Sequence, residues 1–246
     1  MATTYKAKRR GALPARKKKS GKAVSTSKRG SRARKPVVID FHCHMRVPEV
    51  VAFCKGHGPD ASIPDHPNYT EAARKLDSEW AQMHRMRTGD MATRLALMDE
   101  QGVDIQVLSI HTPFFGYHLD KKVGQALARD VNQEIAATVR DNPKRFGFFA
   151  VLPLPDVEGA LRESEYALDT LKADGIGVLS SYEGKYLGNP AFAPLMDEWN
   201  RRKTVVYCHP FCAACGVQQT LTDAQNRGIE FVFDTTRTIL SLLQTA

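Results

Sequence analysis

"VVIDFHCHM" (Val37–Met45) decides how the rest of the chain is read. Val37, Val38 and Ile39 are β-branched and lead through Asp40 and Phe41 into two histidines one residue apart. A short apolar run of this kind reads as a buried strand over 37–42. Successive strand side chains point to opposite faces, so His42 and His44 project together while Cys43 points away. Two imidazoles on one face at a strand's end make a ready pair of divalent-metal ligands.

Outward from this stretch, short apolar runs alternate with longer amphipathic ones. Further strands are predicted at "VDIQVLSI" (103–110), "RFGFFAVLPL" (145–154), "IGVLSS" (176–181) and "TVVYCHP" (204–210). Between them, helices are predicted near 49–55 and from about 70, then over 91–102, 120–143, 156–175 and 189–203. Gly102 and Gly175 read as helix stops, Asp156 as an N-cap and Pro190 as a first-turn proline. The stretch after 215 reads as mostly helical, and "GHGPDASIPDHPN" (56–68) as loop.

Strand–helix alternation repeated five times is the pattern of a parallel sheet covered on both faces. An open doubly wound sheet and a (β/α)8 barrel both fit it. The glycine fingerprint of a dinucleotide site is replaced after the first strand by "HCHMRVPEV", which weighs against the Rossmann alternative. His209 ends the fifth strand, where Pro210 stops the pairing. It therefore reads as a third metal ligand beside His42 and His44, at the C-terminal mouth where barrel active sites sit.

Five segments together resemble the amidohydrolase-related enzymes: "VVIDFHCHMRVPE", "RLALMDEQGVDIQVLS", "NPKRFGFFAVLPLPDVEGALRE", "YLGNPAFAPLMDEWNRRKTVVYCHP" and "FDTTRTILSLL". They are most similar to the branch that holds aminocarboxymuconate semialdehyde decarboxylase and related aromatic-acid decarboxylases. The resemblance implies a (β/α)8 TIM-type barrel with one catalytic divalent metal, Zn²⁺ or in some members Mn²⁺, held here by His42, His44 and His209. It implies a carboxy-lyase acting on a small unsaturated or aromatic carboxylate, with an ester, lactone or amide hydrolase as the alternative on the same site. Arg87 in "HRMRTGD" is the nearest match to the family's carboxylate-binding Arg, with Arg85 second. Phe115 and Tyr117 in "HTPFFGYHLD" would line the pocket, whereas His111 and His118 read as ordinary loop residues.

The family's sixth-strand His and eighth-strand Asp have no counterpart, because no His follows His209 and Asp234 falls in a helix. The expectation is a barrel truncated after its fifth βα unit, inactive or nearly so by itself, and homo-oligomeric in its full-length form.

Net charge is +8, but residues 1–35 hold 14 Lys and Arg and no acid, leaving 21 basic against 27 acidic side chains beyond them. Residues 1–35 cannot bury enough apolar surface to offset their ordering entropy and read as a disordered basic tail. One folded domain follows over 36–246. Tyr5 is the tail's single aromatic, so base stacking, and with it nucleic-acid contact, is not expected. No run of 18 uncharged apolar residues exists to span a membrane, and no apolar leader precedes the domain. With five cysteines and no export signal, a reduced cytoplasmic setting is expected. Cys208, Cys212 and Cys215 have spacing that resembles a radical S-adenosylmethionine cluster motif. Ala214 stands where that motif carries an aromatic residue, which ranks this rival low.

Overall fold

A computed structural model of the chain describes residues 36–54, 71, 75, 79, 90–110, 117, 119–210 and 231–245. Five parallel strands form one curved sheet in the order β1-β2-β3-β4-β7. They are β1 (Ile39–Met45), β2 (Ile105–Ile110), β3 (Phe146–Val151), β4 (Gly175–Leu179) and β7 (Val206–His209). The two remaining strands, β5 (Ser181–Tyr182) and β6 (Lys185–Tyr186), pair as a small antiparallel hairpin. Chain order equals spatial order, as expected when each parallel strand is returned by a crossover on the outside. The result is a parallel half-barrel.

Helices alternate with the strands, and the last of them bonds Ser180 and Tyr186 through Asp234. The helices are α1 (Pro48–Cys54), α2 (Met91–Gln101), α3 (Lys121–Asp141), α4 (Val157–Glu165), α5 (Ala193–Arg202) and α6 (Phe231–Thr245). Asp90 caps α2 by accepting from the Thr93 N–H at 2.8 Å, and Gly102 closes it at φ +70°. That left-handed position carries no Cβ penalty for glycine. Val123, Leu127, Val131 and Ile135 recur along α3 and are all buried, forming the stripe that seats this helix on the sheet. Phe148, Ala150, Ile176 and Val178 meet the helices from below, and no described helix is long and apolar enough to cross a membrane.

Several predicted boundaries move. The helix expected over 156–175 is α-helical only to Glu165 and continues as a π turn over Tyr166–Leu171. It ends at Lys172 (φ +62°), so Gly175 opens β4 instead of closing the helix. Asp156 holds the N-cap position as read, while its carboxylate engages Lys121 and Gln125 on α3. Pro190 starts a 3₁₀ turn over Pro190–Phe192 that precedes α5. The hairpin in "SYEGKY" was not foreseen; Glu183 (φ +49°) and Gly184 (φ +76°) give it the two left-handed positions that a tight hairpin needs.

The expected cover on both sheet faces holds only for the central strands. Ile39 and Phe41 on β1 and Val206 on β7 are exposed, since these strands have one neighbour each among the described residues. The tail over 1–35 lies outside the described residues.

Candidate metal centre

β1 does not run regularly. Asp40 pairs with Gln106 and Cys43 with Leu108, so β1 spends one more residue than β2 over this interval, a β-bulge. The consequence is visible in the side chains. Phe41 stacks on Phe149 at 6.3 Å, and its sequence neighbour His42 meets Tyr207 at 5.8 Å, while Phe149 and Tyr207 stack on each other. Adjacent residues of a regular strand could not reach the same aromatic row. The bulge lets both face inward. Asp40 compensates the disturbed ladder by accepting the His42 N–H at 3.0 Å.

Beyond the bulge, alternation resumes and His44 lies on the same face as His42. β7 pairs with β4 so that His209 stands level with Leu179 at the strands' C-terminal ends. The three imidazoles then meet, with ring centroids 5.0, 5.1 and 5.2 Å apart. One ligand atom from each lies within 4.8 Å of the other two. Tetrahedral binding at 2.0–2.1 Å needs nitrogens about 3.4 Å apart, so closing on an ion asks each ring to shift by about 1 Å.

Hydrogen bonds prepare the rings for that role. Ser109 Oγ donates to the Cys43 carbonyl at 3.2 Å and lies 3.1 Å from His44 Nδ1. A hydroxyl has one proton, so Ser109 accepts from His44 Nδ1–H and leaves the Nε2 lone pair for a ligand. The Pro210 carbonyl, 2.8 Å from His209 Nδ1, sets the same tautomer there. His44 and His209 are buried, whereas His42 is exposed on the sheet's first strand. The donor set and its tautomers fit a divalent cation.

Behind the triad is a strut that sequence reading missed. Arg94 is 4% exposed, yet it donates to the His44 carbonyl at 2.7 Å and to Gln106 Oε1 at 2.9 Å. Gln106 in turn donates to Asp40 at 3.2 Å. One chain of hydrogen bonds therefore joins α2, β2 and both ends of the bulged segment. The signal was present: Arg94 occupies a core-facing position between Met91, Leu95 and Met98 on α2, where a charge needs a reason.

Below the histidines the inner wall is aromatic. Phe149 on β3 and Tyr207 on β7 stack at 5.1 Å across the intervening β4. Strands one apart are separated by about 4.8 Å, so rings two strands apart meet only if the middle strand carries no side chains there. Gly175 and Gly177 provide that gap, for a Cβ at Gly175 would lie 3.1 Å from the Phe149 ring and 2.4 Å from the Val205 carbonyl. Burial raises the Tyr207 phenol above the ordinary tyrosine range, with Cys43, Cys208 and Asp40 nearby adding to it, so the hydroxyl stays protonated at neutral pH.

Of the residues expected to touch substrate, Arg87 and Phe115 lie outside the described residues, as do Arg85, His111 and His118. Tyr117 is half-buried against the core, and burial raises its phenol. Cys212 and Cys215 also lie outside. Burial, followed by the charge of Asp234, pushes the Cys208 thiol up to about 12, which disfavours the thiolate that an iron–sulfur cluster needs.

Comparison with known proteins agrees with this geometry. Residues 39–239 match the amidohydrolase family, and the chain belongs to it. The decarboxylase yanB of Aspergillus niger is 37% identical over 196 residues, which are 78% of this chain and 46% of that protein. The 2-amino-3-carboxymuconate-6-semialdehyde decarboxylase of Dictyostelium discoideum is 30% identical over 176 residues, 70% of this chain and 48% of its own. Among solved structures, a dihydroxybenzoic acid decarboxylase from Polaromonas, with bound manganese and the inhibitor 2-nitroresorcinol, superposes with a TM-score of 0.60. It shares 23% identity, and the match covers 85% of this chain and 60% of that one. The chain spans about half the length of the curated relatives it matches.

Proposed function

We propose that this chain carries the metal-binding face of a carboxy-lyase that removes CO₂ from a planar unsaturated or aromatic carboxylic acid. The observation that carries the reading is the convergence of three imidazoles at the mouth of an amidohydrolase half-barrel whose curated relatives are decarboxylases. A divalent ion, zinc or manganese, would be held by His42, His44 and His209, and when bound it supplies Lewis acidity toward a substrate oxygen.

The chain's own residues do the rest. Ser109 and the Pro210 carbonyl hold the His44 and His209 tautomers, and Arg94 fixes the strand end that carries His44. The Phe149–Tyr207 stack closes the floor with flat apolar surface that a planar acid matches in shape. Arg87 is assigned the substrate carboxylate, and Phe115 and Tyr117 the pocket's rim. Loss of CO₂ leaves an electron pair on carbon. A ring or conjugated chain delocalises it until a proton arrives, which is why the substrate class is unsaturated.

Binding and turnover are tested separately. The chain, loaded with Mn²⁺ or Zn²⁺, is titrated with 2-nitroresorcinol, and CO₂ release by a full-length relative is followed over a panel of hydroxybenzoic acids, with esters and lactones beside them. Binding that needs both the ion and His209, with CO₂ released from an aromatic acid, is the expected result. Ester or lactone hydrolysis without CO₂ release, or ligand binding indifferent to the ion, would overturn the reading.

A further inference from the structure

Asp234, in the first turn of α6, is 0% exposed, and its carboxylate is not part of the histidine cluster. Burying a carboxylate is costly unless hydrogen bonds replace its water. Two hydroxyls are aimed at it. Ser180 Oγ donates to one carboxylate oxygen, and Tyr186 Oη donates to the other at 2.9 Å. Hydrogen bonds to a carboxylate are roughly twice as strong as those between neutral groups. The N-terminal end of a helix also favours negative charge.

The two donors come from different elements. Ser180 directly follows β4 and is itself buried, whereas Tyr186 belongs to β6 of the hairpin. Thr238, one turn further along α6, donates to the Asp234 carbonyl at 3.0 Å and lies 3.4 Å from the Ser180 carbonyl. A second tie joins the helix to the segment after the hairpin. The Gly188 N–H donates to Ser241 Oγ at 3.1 Å, and a Cβ at Gly188 would stand 2.2 Å from the Ser241 carbonyl oxygen. Only glycine permits so close an approach. α6 is thus fastened both to the end of β4 and to the chain that follows it.

Ser180 is where this fastening meets the metal centre. Its N–H donates to the His209 carbonyl at 2.9 Å. Leu179 and His209 form the last register pair of β4 and β7, and Pro210 has no N–H with which to extend the ladder. The Ser180 bond therefore closes the pairing at the end that carries the imidazole. We infer that Asp234 is a positioning residue of the metal centre: through Ser180 it fixes the strand end from which His209 reaches the ion. Arg94 holds the His44 carbonyl in the same way from α2. The inference rests on the three-histidine metal reading and is independent of the reaction that the ion serves.

The test titrates Co²⁺, whose visible absorption reports ligand geometry, into the whole 246-residue chain and its variants. Asp234→Asn keeps the shape but leaves one of the two hydroxyls without its acceptor. It should weaken Co²⁺ binding about tenfold and change the spectrum, and Ser180→Ala should do the same. The double variant should bind no more weakly than either single one, since both break one link. In the metal-free chain, each should speed exchange of the Ser180 amide by about tenfold while Leu108 on β2 keeps its rate. Ile135→Ala, which opens a cavity under α3 and lowers stability in urea, should bind Co²⁺ within about twofold of the parent. Tyr186→Phe removes one hydroxyl from a partly buried ring and serves if Asp234→Asn does not fold. About threefold weaker binding is expected of it, in line with the loss of one hydrogen bond.

Binding by Asp234→Asn and Ser180→Ala within about twofold of the parent, with an unchanged spectrum, would reduce Asp234 to a tie between α6 and the hairpin and overturn the inference. An equal loss in Ile135→Ala, or an unchanged Ser180 exchange rate, would overturn it as well. A parent chain that takes up no Co²⁺, or binds it as well after His209→Ala, would sink the metal reading itself and this inference with it.

Discussion

Replacing Ser109 by Ala removes one hydroxyl 2% exposed to solvent, and its effect on metal affinity follows from the geometry. Ser109 accepts from His44 Nδ1–H at 3.1 Å and donates to the Cys43 carbonyl at 3.2 Å. Without it, His44 is free to take the other tautomer, with the proton on the nitrogen that would face the ion, and to rotate about χ2. Reversing that choice on binding leaves a buried Nδ1–H without its acceptor, a cost of roughly 1–3 kcal/mol. Outer-shell partners of metal-bound histidines are typically worth 10–100-fold in affinity, about 1.4–2.7 kcal/mol, which is the same range. Calorimetric titration of the chain and of Ser109→Ala with Zn²⁺ and Mn²⁺ should give Kd values about 10–100-fold apart, at unchanged stoichiometry. Ser109→Thr, which keeps the hydroxyl, should recover most of the loss. If Ser109→Ala bound metal within about twofold of the parent, the tautomer assignment at His44 would be wrong and the hydroxyl irrelevant to the site.

Three further outcomes are expected. His42→Ala and His209→Ala should each lower divalent-metal affinity by more than Ser109→Ala does, beyond about 100-fold, and metal content after dialysis measures it. Asn132 is fully buried and bonds both the N–H and the carbonyl of Val151 at 2.9 Å, so Asn132→Ala should cost about 2–5 kcal/mol in urea unfolding at constant m-value. Hydrogen bonds from Arg201 and Arg202 hold the Glu198 carboxyl at about 2, below its usual 4.5. Its folded-state value is depressed, so its contribution is present above about pH 4.5 and is lost as pH falls toward 2. Glu198→Gln should flatten that part of the stability–pH curve, as followed by the urea midpoint between pH 2.5 and 6.

Sequence alone determined whatever depends on neighbours along the chain. The β-branched run before His42 is a local pattern that does make a strand, although the strand begins at Ile39 and its apolar residues there are exposed instead of buried. The Gly102 stop of α2 forms as read. Strand–helix alternation was enough for a parallel sheet, and the i, i+2 spacing enough to put His42 and His44 on one face. His209 was legible because Pro210 marks the end of its strand, although its distance from the other two rings was not.

Tertiary structure decided what depends on which strands lie side by side. The bulge that turns Phe41 and His42 to the same wall exists only against β2, because register is a relation between two strands. Gly175 and Gly177 looked like a helix stop and a strand residue. Their use as the gap through which Phe149 reaches Tyr207 appears only when β3, β4 and β7 are adjacent. Arg94 likewise reads as one polar residue on an apolar stripe until α2 is packed beneath β1 and its guanidinium meets the His44 carbonyl, fifty residues away. Local propensity is a property of short segments. The site is built from contacts between distant segments, and those are set by how the sheet pairs and how its helices cover it.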